Sequence, residues 1–282
     1  MIFVHDKGRM CNNILQYAHL YAWGREHGRT TMSMRFAYKY PYFHICKTRH
    51  HHFLNYVFAK YAAKLKLIPT VSFNAPLPPE GNWAEAEHIM LTSRLVMAEG
   101  WYVRYYDLFL KYKKEILQLF AFLPSVEAAV KQKLADEPTG ALRLGVHIRR
   151  GDYKTFNGGR FYYTDEQYAS VIKQFLALHP DVPVAIYICS NDPRLDKDYY
   201  RQQLLAPIPS GEAGGRISFP DGNPGEDLCL LSQCDYLIGP PSTFTLAAAM
   251  YQDRPLYWIK DISQPLTEKS FGYFDDLFQH II

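Results

Sequence analysis

In residues 142–148, LRLGVHI, the apolar side chains Leu142, Leu144, Val146 and Ile148 fall on every second position, the period of a β-strand. Residues 2–5 and 30–36 also read as strands. Between them Ile14, Leu15, Ala18, Tyr21 and Ala22 recur at helical spacing over 11–27, and Gly28 is the stop. The stretch 38–61 is aromatic and basic, with three consecutive histidines at 50–52, and 69–79 reads as loop. Residues 107–122 and 125–136 are helix candidates, the second opened by Ser125 as N-cap.

Glu137-Pro138-Thr139-Gly140 is the strongest break in the pattern. Beyond it, strands and helices alternate. Strand 142–148 precedes a helix from Thr164, where Thr164 and Gln167 have capping-box spacing. Strands follow at 184–189 and 216–219, then helix 226–233, strand 236–238, a helix from Ser242 to 251 and strand 256–259. Such alternation predicts a parallel sheet covered on both faces. The first half repeats the theme less cleanly. The expected architecture is therefore α/β, with two Rossmann-like domains, 1–138 and 139–282, facing a central cleft. Ligands of open α/β sheets lie beyond the carboxyl ends of the strands.

Composition narrows the class. A chain of 282 residues, 48% hydrophobic and 21% charged, can fill one large or two modest cores. A net charge of +3, spread along the chain, gives no basis for nucleic-acid binding. No apolar run is long enough to span a membrane, and MIFVHDKG lacks the parts of a signal peptide. Cys11, Cys46, Cys189, Cys229 and Cys234 form no C-x-x-C pair, which fits reduced thiols in a cytoplasm. The expected location is cytoplasmic, with peripheral association at the inner face of a membrane left open. The 22 tyrosines suit sugar contacts, although most are expected at core margins.

Strand 142–148 runs into Arg149-Arg150-Gly151-Asp152. A guanidinium stays charged and matches phosphate oxygens in a bidentate manner, and glycine lets the backbone turn. Two arginines at the ligand-bearing end of a strand predict a phosphate site. Metal signals are weak. There is no H-E-x-x-H and no cysteine cluster. The lone D-x-D, Asp196-Lys197-Asp198, sits in a charged stretch that reads as a solvated helix face. Side chains at 50–52 point in different directions in any regular element. The segment 8–13 is not G-x-G-x-x-G, so no Rossmann cofactor is expected.

HIRRGDY at 147–153 resembles the H-x-R-R-G-D-Y signature of α-1,2-fucosyltransferases, glycosyltransferase family 11. GRMCNNILQYA at 8–18 resembles that family's G-G-L-G-N-Q-M-F-Q-Y-A, matching at Gly8, Asn12, Gln16, Tyr17 and Ala18. CSNDP at 189–193 resembles its F-S-D-D-P element. EDLCLLSQCDYLIGPPSTFTLAAAMY at 226–251 resembles E-D-L-x-L-M-S-x-C-D-x-x-I-x-x-N-S-T-F-S-W-W-A-A. Arg9, Cys11, Pro241 and Leu246-Ala247 depart from these patterns.

The resemblance implies a GT-B-like enzyme that transfers fucose from GDP-fucose, with inversion and without a metal cofactor, to a hydroxyl of a galactose-type glycan. The C-terminal domain would bind the donor and the N-terminal domain the acceptor, as in bacterial glycan biosynthesis. Arg149 and Arg150 would meet the β-phosphate, with Asp152 acting beside them or orienting them. The helix start at Ser242, Thr243 and Phe244 would hold phosphate oxygens. His147, Asp192 and Asp227 are candidates for the guanine pocket, and Asn12 could approach the donor or acceptor. His5 and Asp6, at the end of the first strand, are candidate bases. Two alternatives stay open: a different nucleotide sugar or acceptor, and a non-catalytic glycan-binding protein on the same fold.

Overall fold

The computed structural model describes residues 1–78, 82–204 and 216–280. The last residue of the loop expected at 69–79 lies outside this set. The chain divides into two compact units, Met1–Pro124 and Ser125–Ile282. The break at Glu137–Gly140 therefore lies inside the second unit. Glu137 is held there by Arg143 Nη2 at 2.7 Å and by the Tyr187 hydroxyl at 2.5 Å.

The first unit runs β1 (Ile2–His5), α1 (Met10–Glu26), β2 (Thr31–Ser33), α2 (Phe53–Lys64), β3 (Thr70–Ser72), α3 (Ala84–Thr92), β4 (Val96–Glu99), α4 (Tyr106–Lys111) and α5 (Lys113–Leu119). Its four parallel strands lie in the order β2-β1-β4-β3. Ile2, Phe3 and Val4 are all buried, as befits a parallel strand with both faces covered. The strand expected over 30–36 stops at Ser33, because the chain turns there and delivers Phe36 to an aromatic cluster with Phe43 and Phe120. Strands β3 and β4 were not expected. The expected helix 107–122 breaks at Tyr112 into α4 and α5.

The second unit runs α6 (Pro124–Lys133), β5 (Leu142–Ile148), α7 (Asp165–Leu178), β6 (Val184–Ser190), α8 (Lys197–Leu204), β7 (Arg216–Ser218), α9 (Pro224–Ser232), β8 (Tyr236–Gly239), α10 (Thr243–Gln252), β9 (Leu256–Trp258) and α11 (Phe274–Leu277). Ser125 lies within α6 instead of capping it. Helix α9 starts earlier than expected because Asn223 accepts the N–H groups of Gly225 and Glu226. The capping box of Thr164 and Gln167 at α7 forms as expected. All five strands are parallel, in the order β7-β6-β5-β8-β9. This is the doubly wound pattern whose direction of winding reverses between β5 and β8. Gly145 permits the close packing behind β5: a Cβ there would lie 2.8 Å from the side chains of Leu231 and Leu237.

Candidate functional site

The reversal between β5 and β8 puts two loops side by side. The arginine loop follows β5, and the start of α10 follows β8. Tyr153 joins them, its buried hydroxyl donating to the Pro241 carbonyl at 2.6 Å. His147, near the end of β5, stacks on Phe244 in the first turn of α10, with ring centroids 4.8 Å apart. Gly239 allows this approach, since a Cβ there would lie 3.1 Å from the His147 carbonyl oxygen. Positions 147, 149, 153, 241, 242 and 244 thus belong to one constellation.

The two arginines have different environments. Arg149 donates from Nε and Nη2 to the two carboxylate oxygens of Asp152, at 3.1 and 2.9 Å. Its guanidinium carbon lies 5.1 Å from the Tyr153 ring centroid. Asp152 therefore orients Arg149, one of the two roles the sequence allowed it. Arg150 is buried, and each of its three guanidinium nitrogens has a protein partner. Nε donates to the Tyr163 carbonyl at 3.3 Å, Nη2 pairs with Asp165 at 2.6 Å and Nη1 with Asp192 at 3.6 Å. Asn191 ties down the same residue, accepting its backbone N–H at 2.8 Å and donating to its carbonyl at 3.3 Å. In this geometry Arg150 fixes the loop, and Arg149, whose side chain is 14% exposed, carries the more accessible charge. Nothing in the sequence pattern distinguishes the two, and the anchoring roles of Asn191 and Asp165 were missed.

Asp192, a candidate for guanine recognition, is committed to Arg150 and to the backbone N–H of Arg194 at 3.0 Å. Asp227 differs, because its buried Oδ1 has no hydrogen-bond partner. Burial pushes its carboxyl up to about 6, against the pull of Lys133. It is an acceptor that wants a donor. His147 also has a buried ring nitrogen, Nδ1, without a partner. Burial and the charge of Arg149 hold its imidazole down to about 3, so it is neutral near pH 7. At α10, the Ser242 oxygen caps the helix by accepting the Phe244 N–H at 3.1 Å, and Thr243 is the first helical residue.

The first unit brings together His5 and Glu99, which stand opposite each other at the ends of the central strands β1 and β4. His5 Nδ1 lies 3.1 Å from Glu99 Oε2. In the neutral tautomer that donates from Nδ1 to Glu99, Nε2 is the acceptor. Glu99's carboxyl lies below its ordinary value. Partial burial pushes it up, but the hydrogen bond from His5, the charge of Lys7 and the hydrogen bond from Asn74 outweigh that. The pair lines a pocket of about 200 Å³ with Met34, Met97, Tyr56 and Lys60. Asp6, the other candidate base, is buried, accepts the Ser33 hydroxyl at 2.5 Å and is raised by burial to about 7. Its position closes it off from an acceptor. Asn12 lies in the first turn of α1 beside Gly8, whose φ of +92° and closeness to Asn12 demand glycine.

The D-x-D and the three histidines have these partners. Asp196 accepts the N–H of Tyr199 and Asp198 pairs with Arg201 at the exposed start of α8. His51 is buried, accepting the Ser33 N–H, while His52 caps α2. Among the described residues no three His, Cys, Asp or Glu side chains cluster as a metal site. No described helix is long and apolar enough to cross a membrane.

No protein-family model matches the sequence, and no curated protein matches it. Solved structures do. FUT1 of Arabidopsis thaliana, an arginine-to-lysine mutant in complex with GDP, superposes with a TM-score of 0.67 at 12% identity, over 96% of this chain and 73% of that one. NodZ α-1,6-fucosyltransferase soaked with GDP-fucose gives 0.53 at 13% identity over 96% of both chains. POFUT1 in complex with GDP-fucose gives 0.54 at 11% identity, over 90% of this chain and 93% of that one. The fold is GT-B-like. Within it, two departures from the family-11 pattern have a structural reading. Leu246 and Ala247 are fully buried core residues, and Pro241 contributes its carbonyl to Tyr153, a backbone group that any residue supplies.

Proposed function

We propose that the chain is an inverting, metal-independent glycosyltransferase that transfers fucose from GDP-fucose to a hydroxyl of a galactose-type glycan, with an α-1,2 linkage. The observation that carries this reading is the meeting of the Arg149 loop and the start of α10, tied by Tyr153 and Pro241. The likeness to folds solved with GDP and GDP-fucose supports it.

In this reading the diphosphate lies between the Arg149 guanidinium and the N-terminal end of α10, whose dipole favours an anion. Charge develops on the β-phosphate as the fucose C1–O bond breaks. A guanidinium preorganised by Asp152 stabilises that charge more in the transition state than in the ground state. Asp227 offers its unpartnered oxygen to the N–H groups of guanine, and neutral His147 packs beside Phe244. The first unit serves the acceptor, with His5 Nε2 taking the proton from the attacking hydroxyl under the control of Glu99. The second unit, from Ser125 onward, serves the donor.

A thermal-shift panel of GDP, GDP-fucose, GDP-mannose and UDP-sugars tests the donor. Stabilisation follows ligand concentration over Kd, and GDP and GDP-fucose are expected to raise Tm. A response to UDP-sugars alone overturns the assignment. Stabilisation by GDP-fucose with no transfer to any galactoside would point to the glycan-binding alternative.

A further inference from the structure

Helix α2 presents an unusual surface. Leu54, Phe58, Tyr61 and Leu65 follow one another at i, i+4, i+7 and i+11, a single narrow stripe on a helix. All four face solvent, with exposures of 73%, 52%, 51% and 64%. Leu67, just past the helix, is 73% exposed. The opposite face is already in use, since Ala59 and Ala62 pack on Phe3, Met32 and Met97 of the sheet. The stripe is therefore not the core side of the helix.

The charge around it is one-sided. Residues 27–79 hold eight of the chain's 31 Lys and Arg and none of its 28 Asp and Glu. The remainder, with 23 cations against 28 anions, is acidic although the chain as a whole is +3. Lys60, Lys64 and Lys66 border the stripe and are exposed.

We infer that the exposed stripe of α2 docks the chain on an anionic lipid surface. Leu and Phe side chains enter the acyl boundary while lysines meet the headgroups, the two signals that stable interfacial binding requires. A second copy of the chain fits less well. A two-fold contact through this stripe would bring two copies of the same lysine-bearing segment together, with no Asp or Glu in residues 27–79 to pair with those lysines. A nucleic acid would use the lysines but leave Leu54 and Leu65 without a role.

The test is sedimentation of the full chain with vesicles of equimolar phosphatidylglycerol and phosphatidylcholine, and with phosphatidylcholine alone. Binding to the anionic vesicles is expected to be about ten-fold tighter or more, and to weaken with salt. L54E/L65E replaces the two most exposed residues of the stripe. It is expected to abolish binding with far-UV circular dichroism and Tm unchanged, and K64E/K66E to reduce it at least ten-fold. Three results overturn the inference: no binding to anionic vesicles, equal binding to both kinds, or full binding by L54E/L65E. A concentration-dependent dimer that L54E/L65E dissociates, with no vesicle binding, assigns the stripe to a second copy instead.

Discussion

The hydroxyl of Tyr153 donates to the carbonyl of Pro241 across 88 positions of chain, at 2.6 Å and out of contact with water. It joins the loop that carries Arg149 to the residue just before the α10 cap. Removing the hydroxyl leaves a buried carbonyl unsatisfied, at a cost of about 1–3 kcal/mol. Tyr153→Phe is expected to lose that much in urea unfolding and to bind GDP more weakly, because the two halves of the phosphate site are no longer fixed together. Unchanged stability would mean that the contact contributes nothing.

Arg149 and Arg150 are adjacent, yet they should fail differently. Arg149→Ala removes a partly exposed charge paired with an accessible carboxylate, so Tm should change little. Turnover should fall by about 10²–10³-fold, the usual cost of losing a preorganised charge donor. Arg150→Ala strands Asp165 and Asp192, whose side chains are only 20% and 10% exposed, and should cost about 3–5 kcal/mol of stability. An Arg149→Ala enzyme within a few-fold of wild-type turnover would remove the residue from the mechanism.

Under the proposed mechanism the leaving charge is met by a guanidinium and helix N–H groups, so EDTA should leave turnover unchanged. A strict requirement for Mn²⁺ or Mg²⁺ in a transfer assay would contradict that account.

Buried titrating groups give the stability a pH profile with two opposing parts. His147 is held down to about 3, against about 6.5 in an unfolded chain. Between those values the unfolded chain carries the extra proton. The contribution of His147 is therefore complete above about 6.5 and is lost as pH falls toward 3. Asp6 works in the other direction. Raised to about 7, it favours the folded state at low pH, and that contribution is lost as pH rises through 7. Between pH 4 and 6, His147→Gln should reduce the slope of stability against pH by about one proton. Asp6→Asn should stabilise the chain at pH 8 but not at pH 4. Urea unfolding from pH 4 to pH 8 measures both.

Much of the second unit is legible in the sequence because its elements carry clear local signals: alternation in β5, the Thr164 capping box and Ser242 at the head of α10. The first unit is less legible. Strand β4, VMAE, is a four-residue segment whose unbroken apolar start carries no two-residue period, although it lies in the middle of the sheet. That is why Glu99 went unseen as the partner of His5. The division of labour between Arg149 and Arg150 was equally hidden. It depends on Asp165 and Asn191, residues 15 and 41 positions beyond Arg150, and only the packing of β5 against β6 brings Asn191 near.

The pairing of His5 with Glu99 yields the last prediction. A base that takes a proton in the transition state contributes about 10²–10⁴-fold, provided its free nitrogen points at the substrate. The side chain of His5 is 42% exposed and its Nδ1 is occupied by Glu99, so Nε2 is the atom on offer. His5→Asn is expected to lower turnover by about 10²-fold or more and leave GDP binding intact. Glu99→Gln keeps an acceptor for Nδ1–H but removes the charge that stabilises the imidazolium as it forms, so its loss in turnover should be smaller. If both variants turn over at wild-type rates, the hydroxyl proton leaves by another route, and this pocket has no part in the chemistry.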